Sequence, residues 1–383
     1  MRCKKAALLC AAASFAAAYM TGCSSAYTKK IDSGIESFNR KDYDNAELMF
    51  KKAREMKSNA TVLSYIGISQ LEMGLYEEAE ENLQEALDMD GKCASACRGM
   101  GILKHKKKDN EGAKKYLLMA SDYSDGKTDP VYMDAMKHYA GILYEEKDYK
   151  GAIEVYNSII QNAPNSDMAL LYLCRGSSFA MSGDENNAVL DFEKSLQYED
   201  SDYNTYCMMY EVLKEAGFVK RGESFLRRLL NDNRDIFLCG KTYYYLGDYE
   251  KAREYLSGAF NEGNENALTY LTLTYRKQNQ PAQAEQLYLD YMKKNGETPY
   301  MCNQYAAFLI ECGRYDEAMK YIDKGLEQQA DKDVINALEF NQAVCYEHMG
   351  ELAKSKELFE EYLNKNPNDE AARNEITYLE SRI

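Results

Sequence analysis

Residues 243–260 read YYYLGDYEKAREYLSGAF. The stretch contains three consecutive tyrosines, then Gly247-Asp248-Tyr249, and then Ala252 and Ala259, which are seven residues apart. A glycine followed by an acidic residue is typical of a tight turn, and two alanines at this spacing fit one face of a helix. The stretch therefore predicts the end of one helix, a turn and a second helix, rather than a catalytic loop.

The glycine–alanine spacing of Gly247 and Ala252 recurs along the chain, which indicates internal repeats. It is found again at Gly74/Ala79, Gly183/Ala188 and Gly313/Ala318. The alanine position, here called the landmark, is occupied at intervals of 30 to 39 residues, most often 34, by Ala46, Ala79, Ala113, Ala152, Ala188, Gly222, Ala252, Ala284, Ala318 and Ser355. Ten landmarks in register predict a repeat protein.

Each repeat has the residue sizes expected of two helices that cross closely. A bulky apolar residue follows each landmark by four positions, as Leu256 follows Ala252, and a small residue precedes most landmarks by twelve, as Gly240 does. The small residue marks the crossing, because close approach of two helices leaves no room for a larger side chain. Two repeats depart from the pattern with Tyr210 and Thr272.

Together, the period, the small crossing residue, the Gly-Asp-Tyr turn and the landmark alanine resemble the tetratricopeptide repeat family. The resemblance covers about residues 27–369 and is weakest in the sixth repeat, around Tyr210 to Leu229. It implies an all-α fold, a right-handed α-solenoid of about ten stacked helix-turn-helix repeats whose neighbours share a continuous core. Residues 370–383 are predicted to form a C-terminal capping helix.

The N-terminus has the features of an export signal. The basic start MRCKK precedes a 15-residue apolar run, residues 6–20, which is short for a membrane span. The run leads to Thr21-Gly22-Cys23 and resembles a bacterial lipoprotein signal, in which small residues precede a cysteine that becomes lipidated. This resemblance implies a signal peptide over residues 1–22, lipidation of Cys23 and a short tether over residues 23–29.

The lipoprotein interpretation places the protein on the extracytoplasmic face of the cell membrane, held by its N-terminal lipid. Met20 is a departure, since the family usually has leucine there. Ordinary cleavage after Ala26 and a plain transmembrane anchor are the alternatives that the sequence leaves open.

The charge of the chain bears on its partners. The formal net charge is −15 at pH 7, and loss of Arg2, Lys4 and Lys5 with the signal would make it −18. Nucleic-acid binding relies on a basic surface, so the balance argues against it, and equally against the body lying on an anionic membrane.

The cysteines allow two interpretations. An even number in an exported protein suggests disulfides, but the spacings here are long and irregular, which favours buried thiols that pack as small apolar residues. After Cys23, the cysteines are at positions 93, 97, 174, 207, 239, 302, 312 and 345.

Motifs for catalysis or cofactor binding are scarce. The segment Cys239-Gly240-Lys241-Thr242 ends like a phosphate-binding loop, but position 235, where the first glycine belongs, is Asp235. The three histidines, at 105, 138 and 348, lack the spacing of metal ligands. The sequence thus predicts no enzyme activity, no cofactor, no metal site and no small-molecule substrate.

The family resemblance implies that the first helix of each pair lines an inner groove. Residues just after the crossing position, and one turn to either side of it, would then face a partner. The residues selected in this way are Arg98, His105, Lys106, Lys137, Tyr144, Phe237, Lys241, Tyr244, Tyr245, Arg276 and Lys277. A basic and aromatic wall would suit an extended acidic segment of a partner protein. The alternative is that these are ordinary exposed residues of stacked helices.

Three functional hypotheses follow from these observations. The first is a non-enzymatic, membrane-anchored scaffold that binds protein or peptide partners in its groove at the cell envelope. The second is an accessory lipoprotein for envelope assembly or secretion, of the pilotin-like or outer-membrane-assembly-like kind. The third, an enzyme with a site hidden in the groove, has no motif in its favour.

Overall fold

The fold is all α-helical in a computed structural model of the chain, which describes residues 26–162, 167–198, 202–232, 235–367 and 369–382. These residues contain twenty-one helices and no strand. Within each compact part of the chain, successive helices pack in pairs, and each pair packs against the next. The prediction of an α-solenoid of tetratricopeptide type is confirmed.

The chain divides into two compact units, with the division between Leu226 and Arg227. The helices of the first unit, the last of which runs past the division, are α1 (Ala26–Asn39), α2 (Tyr43–Met56), α3 (Ala60–Glu72), α4 (Tyr76–Met89), α5 (Ala94–Lys106), α6 (Asn110–Tyr123), α7 (Pro130–Glu145), α8 (Tyr149–Asn162), α9 (Met168–Met181), α10 (Glu185–Tyr198), α11 (Tyr203–Glu215) and α12 (Val219–Asp232). Those of the second unit are α13 (Ile236–Tyr245), α14 (Tyr249–Asn261), α15 (Asn266–Lys277), α16 (Pro281–Asn295), α17 (Pro299–Glu311), α18 (Tyr315–Leu326), α19 (Lys332–His348), α20 (Leu352–Lys365) and α21 (Glu370–Glu380).

The turn inside each pair uses a left-handed backbone residue, which is Gly247 in the stretch quoted above (φ +76°). All ten described pairs have such a residue five positions before the landmark: Lys41, Gly74, Lys108, Lys147, Gly183, Gly217, Gly247, Asn279, Gly313 and Gly350. Asp248 then serves both helices, because its N–H donates to the Tyr243 carbonyl at 3.0 Å and its carboxylate accepts from the Lys251 N–H at 3.3 Å. One dipeptide thus closes α13 and caps α14.

Close crossing of the two helices explains the small residues. A Cβ on Gly240 would lie 2.7 Å from Cγ of Leu256, the bulky residue four positions after the landmark. Gly101 and Leu117 stand in the same relation, also at 2.7 Å. The landmarks themselves are buried, as Ala252 illustrates. Small and large side chains therefore interlock across each crossing.

The two ends of the described chain differ from a regular repeat. Helix α1 begins at Ala26, so residues 26–29 of the predicted tether are helical, and Cys23 and the signal lie outside the described residues. Helix α21 buries Ala372 and Leu379 against the last pair. No helix in the described part of the chain is both long and apolar enough for a membrane span.

The cysteines of the described residues fit the buried-thiol interpretation in part, since Cys312 is exposed. None of the eight in the described residues forms a disulfide, and five are buried. Burial raises the pKa of Cys345 to about 12 and that of Cys302 to about 11. Thiols with such pKa values stay protonated at neutral pH and are weak nucleophiles.

Candidate partner-binding site

Within each unit, several first helices pack against the first helix of the next pair, as α3 does against α5 and α13 against α15. The surface that the first helices of a unit present is here called the first-helix face. In the second unit, α13 and α15 bring four partly buried rings together on this face. These rings, here called the aromatic cluster, are Phe237, Tyr244, Tyr245 and Tyr270. Phe237, Tyr244 and Tyr245 are among the residues that the sequence predicts to face a partner.

Tyr270 is the centre of the aromatic cluster. Its ring centroid lies 5.8 Å from those of Phe237 and Tyr244 and 6.4 Å from that of Tyr245, each with steep interplanar angles. Such edge-to-face geometry is the favoured arrangement of aromatic pairs. The rings therefore support one another and form a preorganised surface.

Lys241 contributes a cation to this surface. Its Nζ lies 5.2 Å from the centroid of the Tyr270 ring, within the range of a cation–π interaction. Burial raises the pKa of Tyr244, as does the proximity of Tyr270, whereas the positive charge of Arg276 opposes the rise. The hydroxyl of Tyr244 is thus protonated at neutral pH and remains a hydrogen-bond donor.

Arg276, at the end of α15, connects the aromatic cluster to the next repeat. Its guanidinium forms an ion pair with Glu311 of α17 and lies 5.9 Å from the centroid of the Phe308 ring. The following residue, Lys277, is exposed. The second unit therefore places Lys241 and the ion-paired Arg276 at an aromatic surface, and Lys277 follows Arg276 along the chain.

In the first unit, the selected residues are spread over α5 and α7. Nε2 of His105 lies 2.9 Å from Oε2 of Glu145, and Lys106 is exposed. Tyr144 is half-buried, and its ring packs edge-on against that of Tyr149 at 5.3 Å. These side chains do not gather into a surface comparable to the aromatic cluster.

The prediction that Arg98 faces a partner is wrong. Its side chain is only 2% exposed and forms an ion pair of 3.1 Å with Asp134, which is equally buried. The side chain of Lys137 is 13% exposed, and its Nζ lies 3.6 Å from Oδ1 of Asp134. Both cations therefore lie beside this buried carboxylate and compensate its charge.

The expectation of a generally basic wall also needs correction. At least four of the seven selected basic residues have a carboxylate beside them, namely Arg98, His105, Lys137 and Arg276. The acids come from the neighbouring repeat, or from the same helix in the case of Lys137. The first-helix face is thus mixed in charge, and its distinctive feature is the aromatic cluster.

Two residues of this surface escaped the sequence analysis. Tyr270 lies two positions before the crossing residue Thr272, whereas the predicted residues lie just after the crossing position or one turn to either side of it. It shares its helix face with Leu273 and Lys277, at spacings of three and seven, and this periodicity could have revealed it. No sequence pattern predicts the role of Glu311, because that role depends on Arg276, which lies 35 residues earlier in the chain.

In the described residues, no group of three or more histidine, cysteine, aspartate or glutamate side chains is arranged to hold a metal ion.

Four segments of the chain match family models described as tetratricopeptide repeat, namely residues 106–167, 237–261, 299–332 and 337–369. The segments lie in both units, and the second of them contains α14 and most of α13.

Solved structures show a distant likeness. Yeast Tom70 is 15% identical, with 93% of this chain and 88% of that one covered and a TM-score of 0.43. A tetratricopeptide repeat protein from Parabacteroides merdae is 17% identical, with coverages of 65% and 98% and a TM-score of 0.43. PilF of Pseudomonas aeruginosa is also 17% identical, with coverages of 62% and 91% and a TM-score of 0.38. At these scores the likenesses bear on neither function nor partners.

Repeat period, left-handed turns, interlocking crossings and family-model matches agree with one another. The chain is a tetratricopeptide repeat protein.

Proposed function

We propose that this protein is a non-enzymatic scaffold that holds a protein partner on the first-helix face of its second unit. The observation that carries the proposal is the aromatic cluster on α13 and α15, with Lys241 over the ring of Tyr270. Partly exposed tyrosines offer large apolar area at low entropic cost and keep a hydroxyl for hydrogen bonding, which is why they are common at interaction sites.

An extended segment of a partner is the ligand that fits this surface. The cluster spans two successive first helices, so a chain lying across them would contact several rings in turn. Lys277, one residue beyond Arg276, is exposed and would meet acidic or carbonyl groups of the segment. The contacts would thus combine apolar burial with directed polar interactions.

The proposal includes a lipid anchor on Cys23, which would hold the scaffold on the extracytoplasmic face of the cell membrane. The sequence pattern before Cys23 supports this part. Mass spectrometry of the mature N-terminus checks it, with the expected result a diacylglycerol-modified Cys23 and membrane fractionation that is lost in Cys23→Ser. An unmodified N-terminus created by cleavage after Ala26 would contradict it.

Affinity capture tests the binding site. Full-length tagged protein is extracted from cells with detergent, and co-purifying proteins are quantified for wild type, Lys241→Glu and Lys251→Glu. Both lysines lie over a tyrosine ring, at 5.2 Å and 5.1 Å, but Lys251 is on the second helix α14. The same charge change is thus made on and off the proposed face.

The expected result is a set of partners that Lys241→Glu and Tyr270→Ala deplete severalfold and Lys251→Glu leaves unchanged. Equal depletion by the two lysine variants, or no depletion by either, would reject the assignment of the binding face.

A further inference from the structure

Two ion pairs on the first-helix face occupy the same register, one in each unit. His105 and Arg276 each lie four residues after the crossing residue of their helix. Their partners, Glu145 and Glu311, each lie five residues after the crossing residue of the next first helix. Each ion pair therefore joins a cation on one helix pair to a carboxylate on the next helix pair.

The pair in the second unit lies next to the aromatic cluster. The positive charge of Arg276 opposes the rise in the pKa of Tyr244. Its guanidinium lies 5.9 Å from the centroid of the Phe308 ring. The side chains of Arg276 and Glu311 are 28% and 52% exposed. Ion pairs this accessible to water contribute little stability, so one carboxylate can replace another at small cost.

We infer that Glu311 occupies the place of a carboxylate of the partner, and that a glutamate or aspartate of the bound segment displaces it from Arg276. The inference rests on the proposed function and specifies its ligand as an acidic segment with aromatic or apolar neighbours. Rings of the segment pack on the aromatic cluster, and its carboxylate then reaches Arg276, with Lys277 one residue away. A segment without an acid leaves the internal pair intact and gains no charge-assisted hydrogen bond.

Glu311 therefore competes with an acidic ligand for Arg276. It lowers the affinity for every acidic ligand, because the ligand must compete with a tethered carboxylate. It also keeps the guanidinium paired when no partner is present. A neutral ligand does not compete with Glu311, so its affinity does not depend on this side chain.

Peptide binding to the full-length protein tests the inference, with fluorescence anisotropy as the readout. The probes are a fluorescein-labelled peptide of alternating glutamate and tyrosine, EYEYEY, and its neutral counterpart QYQYQY. Glu311→Gln should bind EYEYEY about threefold more tightly than wild type does, as expected for an exposed ion pair. Binding of QYQYQY should not change.

Three further variants separate displacement from a general effect of charge. Glu145→Gln makes the same substitution in the same register of the first unit, and it should leave the affinity for EYEYEY unchanged. In Arg276→Gln, binding should be weaker, and adding Glu311→Gln should then have no further effect.

The inference is overturned if Glu311→Gln fails to tighten binding, if Glu145→Gln tightens it equally, or if the gain persists without Arg276. Failure of all these proteins to bind EYEYEY would overturn it too. The proposed function would still stand in each case if Lys241→Glu and Tyr270→Ala deplete the captured partners.

Discussion

Arg98 lies in the core of the first unit, where it forms an ion pair with Asp134. It lies near the crossing residue Gly101 on a first helix, where exposed residues of the binding face were expected. The carboxylate opposite it belongs to Asp134, 36 residues later. The two residues of such an ion pair belong to different repeats. The pattern of one repeat therefore cannot predict that a charged side chain is buried.

The buried pair is expected to matter for folding rather than binding. Arg98→Met leaves Asp134 buried without its closest cation, which should lower the free energy of unfolding by about 3–5 kcal/mol. The double variant Arg98→Met/Asp134→Leu removes both charges and should recover most of the loss. Chemical unfolding followed by circular dichroism at 222 nm measures both effects.

This account would be contradicted if the double variant lost as much free energy of unfolding as the single variants Arg98→Met and Asp134→Leu lose when their losses are added. It would mean that the two side chains stabilise the unit independently and not as a pair.

His138 should make the stability of the first unit depend on pH. Burial lowers its pKa from 6.5 to about 4, against the opposing attraction of Asp134. Because the folded pKa lies below that of the unfolded chain, the unfolded state binds the proton first as the pH falls. Stability is thus complete above pH 6.5 and declines towards pH 4, by about 3 kcal/mol from this residue.

The His138→Gln variant isolates this contribution. Unfolding curves measured at several pH values should show that the variant loses less stability than wild type between pH 6.5 and 4. Parallel pH profiles for the two proteins would show that His138 is not the responsible group.

At the scale of the element, the sequence predicts the turn inside a helix pair where a glycine occupies the left-handed position. It does not predict the turn where another residue occupies that position. The glycine–alanine spacing identified four turns, yet all ten pairs use a left-handed residue at that position. Lys41, Lys108, Lys147 and Asn279 take this conformation despite their side chains. The packing of two helices thus imposes a backbone geometry that local sequence preference opposes.

This conflict predicts a stabilising substitution. Lys147 has φ +65°, and Lys147→Gly should raise the free energy of unfolding by about 1 kcal/mol, because glycine adopts this conformation without steric cost. Lys147→Ala is the matched control, since it removes the side chain but keeps the strained Cβ. Thermal unfolding should rank the glycine variant above wild type, with the alanine variant near wild type.

If the alanine variant were stabilised as much as the glycine variant, the lysine side chain and not the backbone would be the source of the strain.

The sixth repeat shows how the crossing tolerates exceptions. Its first helix has Tyr210 where other repeats have a small residue, and its landmark is Gly222. A Cβ on Gly222 would lie 3.0 Å from Cδ2 of the Tyr210 ring, so the landmark has become smaller where its partner has become larger. The sequence showed both departures, but only the structure shows that one compensates the other.

For the whole molecule, the repeat predicted the fold class and the number of helix pairs, because every turn and crossing obeys the same steric rule. The division into two units falls inside α12, in the repeat that matches the pattern least. The binding surface was harder to predict. Four of the eleven selected residues contribute to the cluster and its cation, whereas Tyr270 and Glu311 emerge only when helices from different repeats lie side by side.

The central claim is that a partner occupies the first-helix face of the second unit, and site-specific photocrosslinking in cells tests it most directly. A benzophenone amino acid replaces Tyr245 in the aromatic cluster or, as the control, exposed Leu289 on the second helix α16. The account predicts a discrete crosslinked product from position 245 that Lys241→Glu diminishes, and none from position 289. A product from position 289 with none from position 245 would contradict it.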